Sequence, residues 1–326
     1  MPFLNATRLQ SCSRLGQPAQ LRSRCFSSSV KRLSTESRSL IGRQPSYGPV
    51  GVEAARIWSP NDPAPKPTLF SHEFSLADRV ALVSGANRGI GLDMALGLIE
   101  AGARAVYCID VHKTPGDDWQ KTRLYAEKMQ CKAGEGRLEY LQGDVTDQAR
   151  MWEIGETIGS REGRLDIGVA AAGILRDQFE CLSFPAEKFQ EVMSVNTNGV
   201  LYTAQAAGQQ MEKFGNGGSL IFIASIGGHR ADKGFNYVDY YASKSAVLQM
   251  GRSMACELGP KRIRVNTISP GYVYTTLAVN ATSDRPEVLE EHVKSTPLNR
   301  VATPDELRGV VTWLASDASS FCTGSE

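Results

Sequence analysis

Val80-Ala81-Leu82-Val83-Ser84-Gly85-Ala86-Asn87-Arg88-Gly89-Ile90-Gly91 is the stretch on which the fold turns. An apolar run this short and unbroken suits a strand buried on both faces. The glycines after it permit a tight turn that a phosphate can approach closely, and the helix start beyond them offers unpaired N–H groups and positive dipole charge. Met94, Ala95, Leu98 and Ile99 follow at helical spacing as far as Ala101-Gly102, where glycine accepts the left-handed closing conformation. Strand, glycine turn and helix in this order predict a dinucleotide phosphate site formed by Ser84, Gly85, Asn87, Arg88, Gly89, Ile90 and Gly91.

The pattern repeats outward from there. Apolar runs at Ala105 to Ile109, Leu138 to Leu141, Leu165 to Ala171, Leu220 to Ala224 and Ile263 to Ile268 alternate with helix-period segments. Such alternation predicts an α/β domain with a parallel, doubly wound, Rossmann-type sheet covered on both faces. Asp110 closes the second run 19 residues after Gly91, where a carboxylate can accept hydrogen bonds from an adenosine ribose. That carboxylate would repel a 2′-phosphate and favours NAD; Arg88 could bind the same phosphate and favours NADP. Asp144-Val145 follows the third run, with Asp144 a candidate for the adenine edge or for a helix N-cap. Thr303-Pro304-Asp305-Glu306 reads as a capping box ahead of Leu307, Val310, Val311 and Leu314.

Charge divides the chain unevenly. Residues 1–45 hold eight basic residues and one acid, whereas the remainder holds 28 basic and 34 acidic residues. A mildly acidic body gives no reason to bind nucleic acid, and no apolar run is long enough for a membrane-spanning helix. The serine- and arginine-rich segment 1–45 predicts a mitochondrial transit peptide, cut near Ser27 after Arg24-Cys25-Phe26; a basic tail on a cytoplasmic enzyme is the alternative. Residues 46–73, with prolines at 49, 60, 63, 65 and 67, predict an extended linker, and 74–326 a single folded domain. Seven cysteines without a C-x-x-C pair point to neither a disulfide framework nor a metal site, and Cys108 reads as a buried apolar residue.

Tyr240 and Lys244 lie one helical turn apart, so an ammonium can stand near a phenol that otherwise titrates near pH 10. Ser225 ends the strand-like run before them, and Asn196 sits in Val195-Asn196-Thr197-Asn198-Gly199. With the glycine turn, Asp144, Ala171-Ala172-Gly173 and Pro270-Gly271, these residues make the chain resemble the short-chain dehydrogenase/reductase superfamily over roughly residues 74–326. The stretch from Ala255-Cys256-Glu257 through Arg264 to Tyr272 is similar to that of fungal polyol dehydrogenases and ketose reductases.

The resemblance implies hydride transfer between a nicotinamide cofactor and a secondary alcohol or ketone, best fitted by a polyol and ketose. Tyr240 would then be the general acid/base and Lys244 the group that lowers its pKa. Ser225 would hold the substrate oxygen and Asn196 a relay water. Val145, Ala172, Gly173, Pro270, Gly271, Val273 and Thr275 would join the cofactor contacts, 276–295 would form a lid, and the chain would assemble as a dimer or tetramer. Ala170-Ala171-Ala172-Gly173 departs from the family's Asn-Asn-Ala-Gly, and Thr323-Gly324-Ser325-Glu326 stands where relatives continue into a final edge strand. Two other readings are an NADPH-dependent ketone or 3-ketoacyl-thioester reductase, favoured by Arg88, and a non-catalytic dinucleotide-binding sensor or scaffold.

Overall fold

Six of the apolar runs become strands: β1 (Val80–Ser84), β2 (Ala105–Asp110), β3 (Arg137–Gln142), β4 (Ile167–Ala170), β5 (Gly218–Ile223) and β6 (Ile263–Ile268). They form one parallel sheet in the order β3-β2-β1-β4-β5-β6, with Val80 opposite Ala105 and Ser84 opposite Ala170. The order reverses beside β1, which places a crevice at the carboxyl ends of β1 and β4. The computed structural model describes residues 45–129, 136–282 and 287–326.

Alternation along each strand sends its side chains into two separate cores. Val80, Leu82, Leu220 and Phe222 face one side, against Met151 and Ile154 of α3 (Gln148–Glu162), Ala204 and Met211 of α5 (Gly199–Phe214) and Val247 of α6 (Val238–Leu258). Ala81, Val83, Ile221 and Ile223 face the other, against Met94 and Leu98 of α1 (Gly89–Glu100) and Trp119 of α2 (Asp117–Lys128). Val311 and Leu314 of α9 (Arg308–Ala315) complete that second layer. A two-residue period buried on both faces is what a parallel sheet between helices requires.

Local signals explain several helix ends. Gly102 closes α1 at φ +106°, with the Ala103 N–H bonded to the Leu98 carbonyl. The Thr303–Glu306 capping box forms, and it opens a 3-10 turn (Pro304–Leu307) that runs into α9. α4 (Ala186–Met193) passes into α5 through a π-turn, Ser194–Asn198, that the sequence periodicity does not announce.

The chain divides into two units, Met1–Trp58 and Ser59–Glu326. The expected presequence and its cleavage site, like residues 1–44 generally, lie outside the described residues. The stretch expected as linker contains a helix, Gly51–Ile57, in the first unit and a π-turn, Leu69–Glu73, in the second. Leu76 is the first fully buried side chain among the described residues, and its N–H bonds the Ala101 carbonyl.

Among the described residues the sheet ends at β6, without a further strand. Residues 323–325 cover part of that edge: the Gly324 N–H bonds the Val265 carbonyl at 2.7 Å, the Thr267 N–H bonds the Ser325 carbonyl at 3.0 Å, and the Val265 N–H reaches Thr323 Oγ1. The outward amides of Val265 and Thr267 are thereby paired. No helix among the described residues is long and apolar enough to cross a membrane.

Candidate active site

The glycine turn joins β1 to α1 at the carboxyl end of the sheet. Gly85 stands at φ +68°, and a Cβ there would lie 2.6 Å from the Ala172 backbone. Only glycine permits this approach between the turn and the segment after β4. At Gly89, φ +59°, a Cβ would meet nothing nearer than Thr275 Cγ2 at 4.0 Å, so open space lies between the start of α1 and the loop after β6. Arg88, the N-cap of α1, gives no side-chain cap, and the first-turn N–H groups stay available to an anion.

Ser84 Oγ stands 3.5 Å from the Ala172 N–H and 3.3 Å from Thr203 Oγ1, tying the end of β1 to two other elements. Asp110 lies against the turn: its carboxylate faces the Asn87 N–H at 3.4 Å and His112 Nδ1 at 2.6 Å. Asn87 in turn accepts from the Gly116 N–H at 2.8 Å. The Arg88 side chain is exposed and has no partner among the described residues. Asp144 does not cap α3. It accepts from the N–H and hydroxyl of Thr146, while Asp147 accepts from the Arg150 N–H and is the cap. Val145 is buried against the start of α5, at Gly199.

A cleft of about 450 Å³ opens beside this turn, lined by Ile90, Gly173, Ser225, Tyr240, Lys244, Pro270, Gly271, Val273 and Thr275 among others. Tyr240 and Lys244 share one face of α6, with the ammonium 5.7 Å from the phenol ring centroid. Lys244 is 5 % exposed, and its ammonium donates to the Ile223 carbonyl at 2.8 Å. Ser225 follows β5; its Oγ accepts from the Gly227 N–H at 3.0 Å and reaches the Tyr240 hydroxyl.

Asn196 stands behind the cleft rather than in its lining. It is fully buried in the π-turn, accepts from the Ile174 N–H, and donates to the Ile174 carbonyl and to Ser243 Oγ. Ser243 donates to the Tyr240 carbonyl at 2.7 Å, so Asn196 reaches the helix that carries Tyr240. A Cβ at Gly173 would lie 3.4 Å from Asn196 Oδ1 and 3.6 Å from Lys244 Nζ, and glycine keeps that space open.

Burial governs the titration of the pair. Burial raises the Tyr240 pKa above its ordinary value, and the Ser225 hydrogen bond only partly opposes it. Burial also brings Lys244 down to about 8. Desolvation disfavours both charged forms, and an ammonium held on the Ile223 carbonyl does not reverse this for the phenol. Cys108 is fully buried, and burial pushes its thiol up to about 12, as befits an apolar residue.

Besides Tyr237, the outer wall contains groups that the sequence does not single out. Asp232, Tyr241, Tyr272 and His292 line the cleft together with Phe235 and Tyr237. His292 comes from α8 (Glu287–Ser295), which with α7 (Thr276–Thr282) occupies the expected lid. Of His229, Arg230, Asn236 and Tyr237, which the sequence offers as polar groups for a hydroxylated substrate, Tyr237 lines the cleft, whereas the other three are exposed and outside the lining. Among the described residues no three His, Cys, Asp or Glu side chains gather as a metal site. A dinucleotide fits the residues present: the carboxylate at the end of β2, the open cradle at Gly89 and the cleft ending at Tyr240 and Lys244 follow one another along the carboxyl edge of the sheet.

Comparison with known proteins agrees with this geometry. The family model described as enoyl-(acyl carrier protein) reductase matches residues 85–326. Sorbose reductase of Schizosaccharomyces pombe is 35% identical over 253 residues, 78% of this chain and 94% of that protein. A short-chain type dehydrogenase/reductase of Mycobacterium marinum superposes with TM-score 0.71 at 36% identity, over 78% of this chain and 95% of its own. A gluconate 5-dehydrogenase of Burkholderia cenocepacia, solved with NADP and tartrate, superposes with TM-score 0.68 at 31% identity, over 78% and 94%.

Proposed function

From the premise that the chain belongs to the short-chain dehydrogenase/reductase family and is an NAD(P)-dependent oxidoreductase acting on a CH–OH group, we propose that it interconverts a polyol and a ketose, with NAD preferred. The observation that carries this is the meeting of Ser225, Tyr240 and Lys244 in one cleft that continues to the glycine turn. Likeness to a sorbose reductase supports the choice of substrate.

In the reductive direction Tyr240 donates its proton to the substrate oxygen, and its raised pKa keeps that proton in place at neutral pH. Ser225, already touching the phenol, donates to the same oxygen and holds it within reach of Tyr240. Lys244 supplies positive charge beside the ring, which favours the phenolate left behind. The nicotinamide, when bound, supplies or accepts the hydride. Gly85, Gly89 and Gly91 would receive the pyrophosphate, Asp110 the adenosine ribose, and Gly173, Val273 and Thr275 the nicotinamide end. Asn196 positions Ile174 and, through Ser243, the start of α6.

A second reading, an NADPH-dependent ketone or thioester reductase, is favoured by the unpartnered Arg88. Fluorescence titration with NADH and NADPH, followed by turnover of pentitols, hexitols, ketoses and a 3-ketoacyl thioester, separates the two. Tighter NADH binding with polyol turnover is expected; tighter NADPH binding with thioester turnover rejects the proposal. The composition of residues 1–45 supports a mitochondrial location, testable by import into isolated mitochondria and sequencing of the mature N-terminus. Assembly as a dimer or tetramer rests on family resemblance, and sedimentation measures it.

A further inference from the structure

Among the described residues lining the cleft, Asp232 is the only acid, and Lys244, bound to the Ile223 carbonyl, is the only lysine or arginine. Asp232 is firmly placed. Its Oδ2 accepts from the Tyr272 hydroxyl at 3.1 Å, and its Oδ1 faces Arg230 Nε at 3.4 Å. Arg230 also donates to the Tyr272 hydroxyl at 3.2 Å, and the Asp232 N–H reaches the Tyr241 hydroxyl at 3.4 Å. The Tyr272 ring is stacked on His292 with centroids 3.6 Å apart and planes 12° from parallel. Three elements, the loop after Ser225, the loop after β6 and α8, therefore fix one carboxylate in the wall.

Two chemical consequences follow from that placement. An ionised carboxylate has about four lone-pair sites, and the contacts above leave some of them to accept substrate hydroxyls. A substrate carboxylate would instead bring a like charge up to Asp232 in a partly desolvated wall, which is unfavourable. His292 does not offset this. Burial holds its pKa below the ordinary 6.5, so the imidazole is neutral at pH 7. Arg230, which could, lies outside the lining and is engaged with Asp232 and Tyr272.

We propose that Asp232, clamped by Tyr272 and Arg230, determines specificity by admitting neutral polyhydroxy alcohols and ketoses and rejecting their carboxylated counterparts. This rests on the reading of the Tyr240 cleft as the substrate site. It separates neutral sugars from sugar acids, a distinction that fold and catalytic residues leave open.

The test uses ligands that share a carbon skeleton and differ in charge: threitol with tartrate, and arabinitol with arabinonate. kcat/KM for each, or Ki where the compound only inhibits, is measured for the wild-type enzyme, Asp232→Asn and Tyr272→Phe, with NADH affinity and circular dichroism as folding controls. The wild-type enzyme should favour the neutral member at least about tenfold, as expected for a like charge in a partly desolvated site. Asp232→Asn should reduce that ratio about tenfold or more, through KM or Ki of the acids. Tyr272→Phe, which keeps the charge and removes one clamp, should weaken the neutral ligands and retain most of the discrimination. An unchanged ratio in Asp232→Asn, or a wild-type preference for the acids, overturns the filter. If the enzyme oxidises only simple secondary alcohols such as cyclohexanol, the polyol reading fails instead; inhibition of that reaction by threitol and tartrate then tests the filter by itself.

Discussion

The two ends of the sheet are built on opposite plans. At the amino end, acids and arginines hold one another. Asp166, 3 % exposed, accepts from both Arg164 Nε and Arg164 Nη2 at 2.8 Å and also from the Val80 N–H. Asp78 faces Arg104 and Arg164, Arg79 faces Asp317, and Glu162 receives Tyr107 and Arg137. At the carboxyl end Asp232 also pairs with Arg230 in the outer wall, but the side chains proposed for the chemistry are held mainly by main chain. Lys244 is fixed by the Ile223 carbonyl, Ser225 by the Gly227 N–H, and Asn196 by both polar groups of Ile174. Mutual pairing uses up charge, whereas anchoring to backbone leaves charge and hydroxyl available to a ligand. Stability and chemistry are thus placed at opposite ends of the same strands.

Asp166→Asn should have the largest effect on stability. Breaking a buried, hydrogen-bonded ion pair costs about 3–5 kcal/mol, read by urea unfolding. The rate per folded molecule should be unchanged; a large loss of kcat without loss of stability would dissolve the contrast between the ends.

Lys244→Met should act in the opposite sense. Burial lowers the Lys244 pKa in the folded protein to about 8, from the ordinary 10.5. Below about pH 8 both folded and unfolded chains carry the charge, and the folded one bears the whole desolvation cost. Between pH 8 and 10.5 the folded chain releases its proton first, so this site makes stability rise with pH. The raised Tyr240 pKa works the other way, lowering stability as pH passes above 10. Removing the ammonium should therefore stabilise the cofactor-free protein at pH 7 by about 1–3 kcal/mol and flatten its stability between pH 8 and 10, while turnover collapses. A destabilised variant with full turnover would show that the lysine is structural.

Asp147→Ala should cost about 1 kcal/mol, as a lost N-cap does, with cofactor affinity unchanged in fluorescence titration. Equal loss from Asp144→Ala would mean that the turn before α3 depends on both acids.

The strands were legible because continuous apolar runs have few other uses, and β6 occupies the residues that its run marks, Ile263–Ile268. The glycine turn and the Tyr240–Lys244 pair were legible because their chemistry depends on short spacings. What escaped was long in sequence or ambiguous in type. Asp232 and Tyr272 are 40 residues apart, and His292 is 20 beyond Tyr272, so no local period joins them. The π-turn at Ser194–Asn198 breaks a helical rhythm without a glycine or proline inside it. Asp144 and Asp147 are both acceptable caps, and only the geometry selects Asp147. Burial, which dominates both titrations, cannot be read from spacing.

Single-turnover hydride transfer from a polyol to NAD, compared between the wild-type enzyme and Tyr240→Phe, tests the central claim most directly. The rate should fall by about 10²–10⁴-fold, the usual contribution of general acid/base catalysis, with cofactor affinity and thermal midpoint little changed. Equal rates for the two proteins would contradict the assignment of Tyr240 as the proton-transferring group.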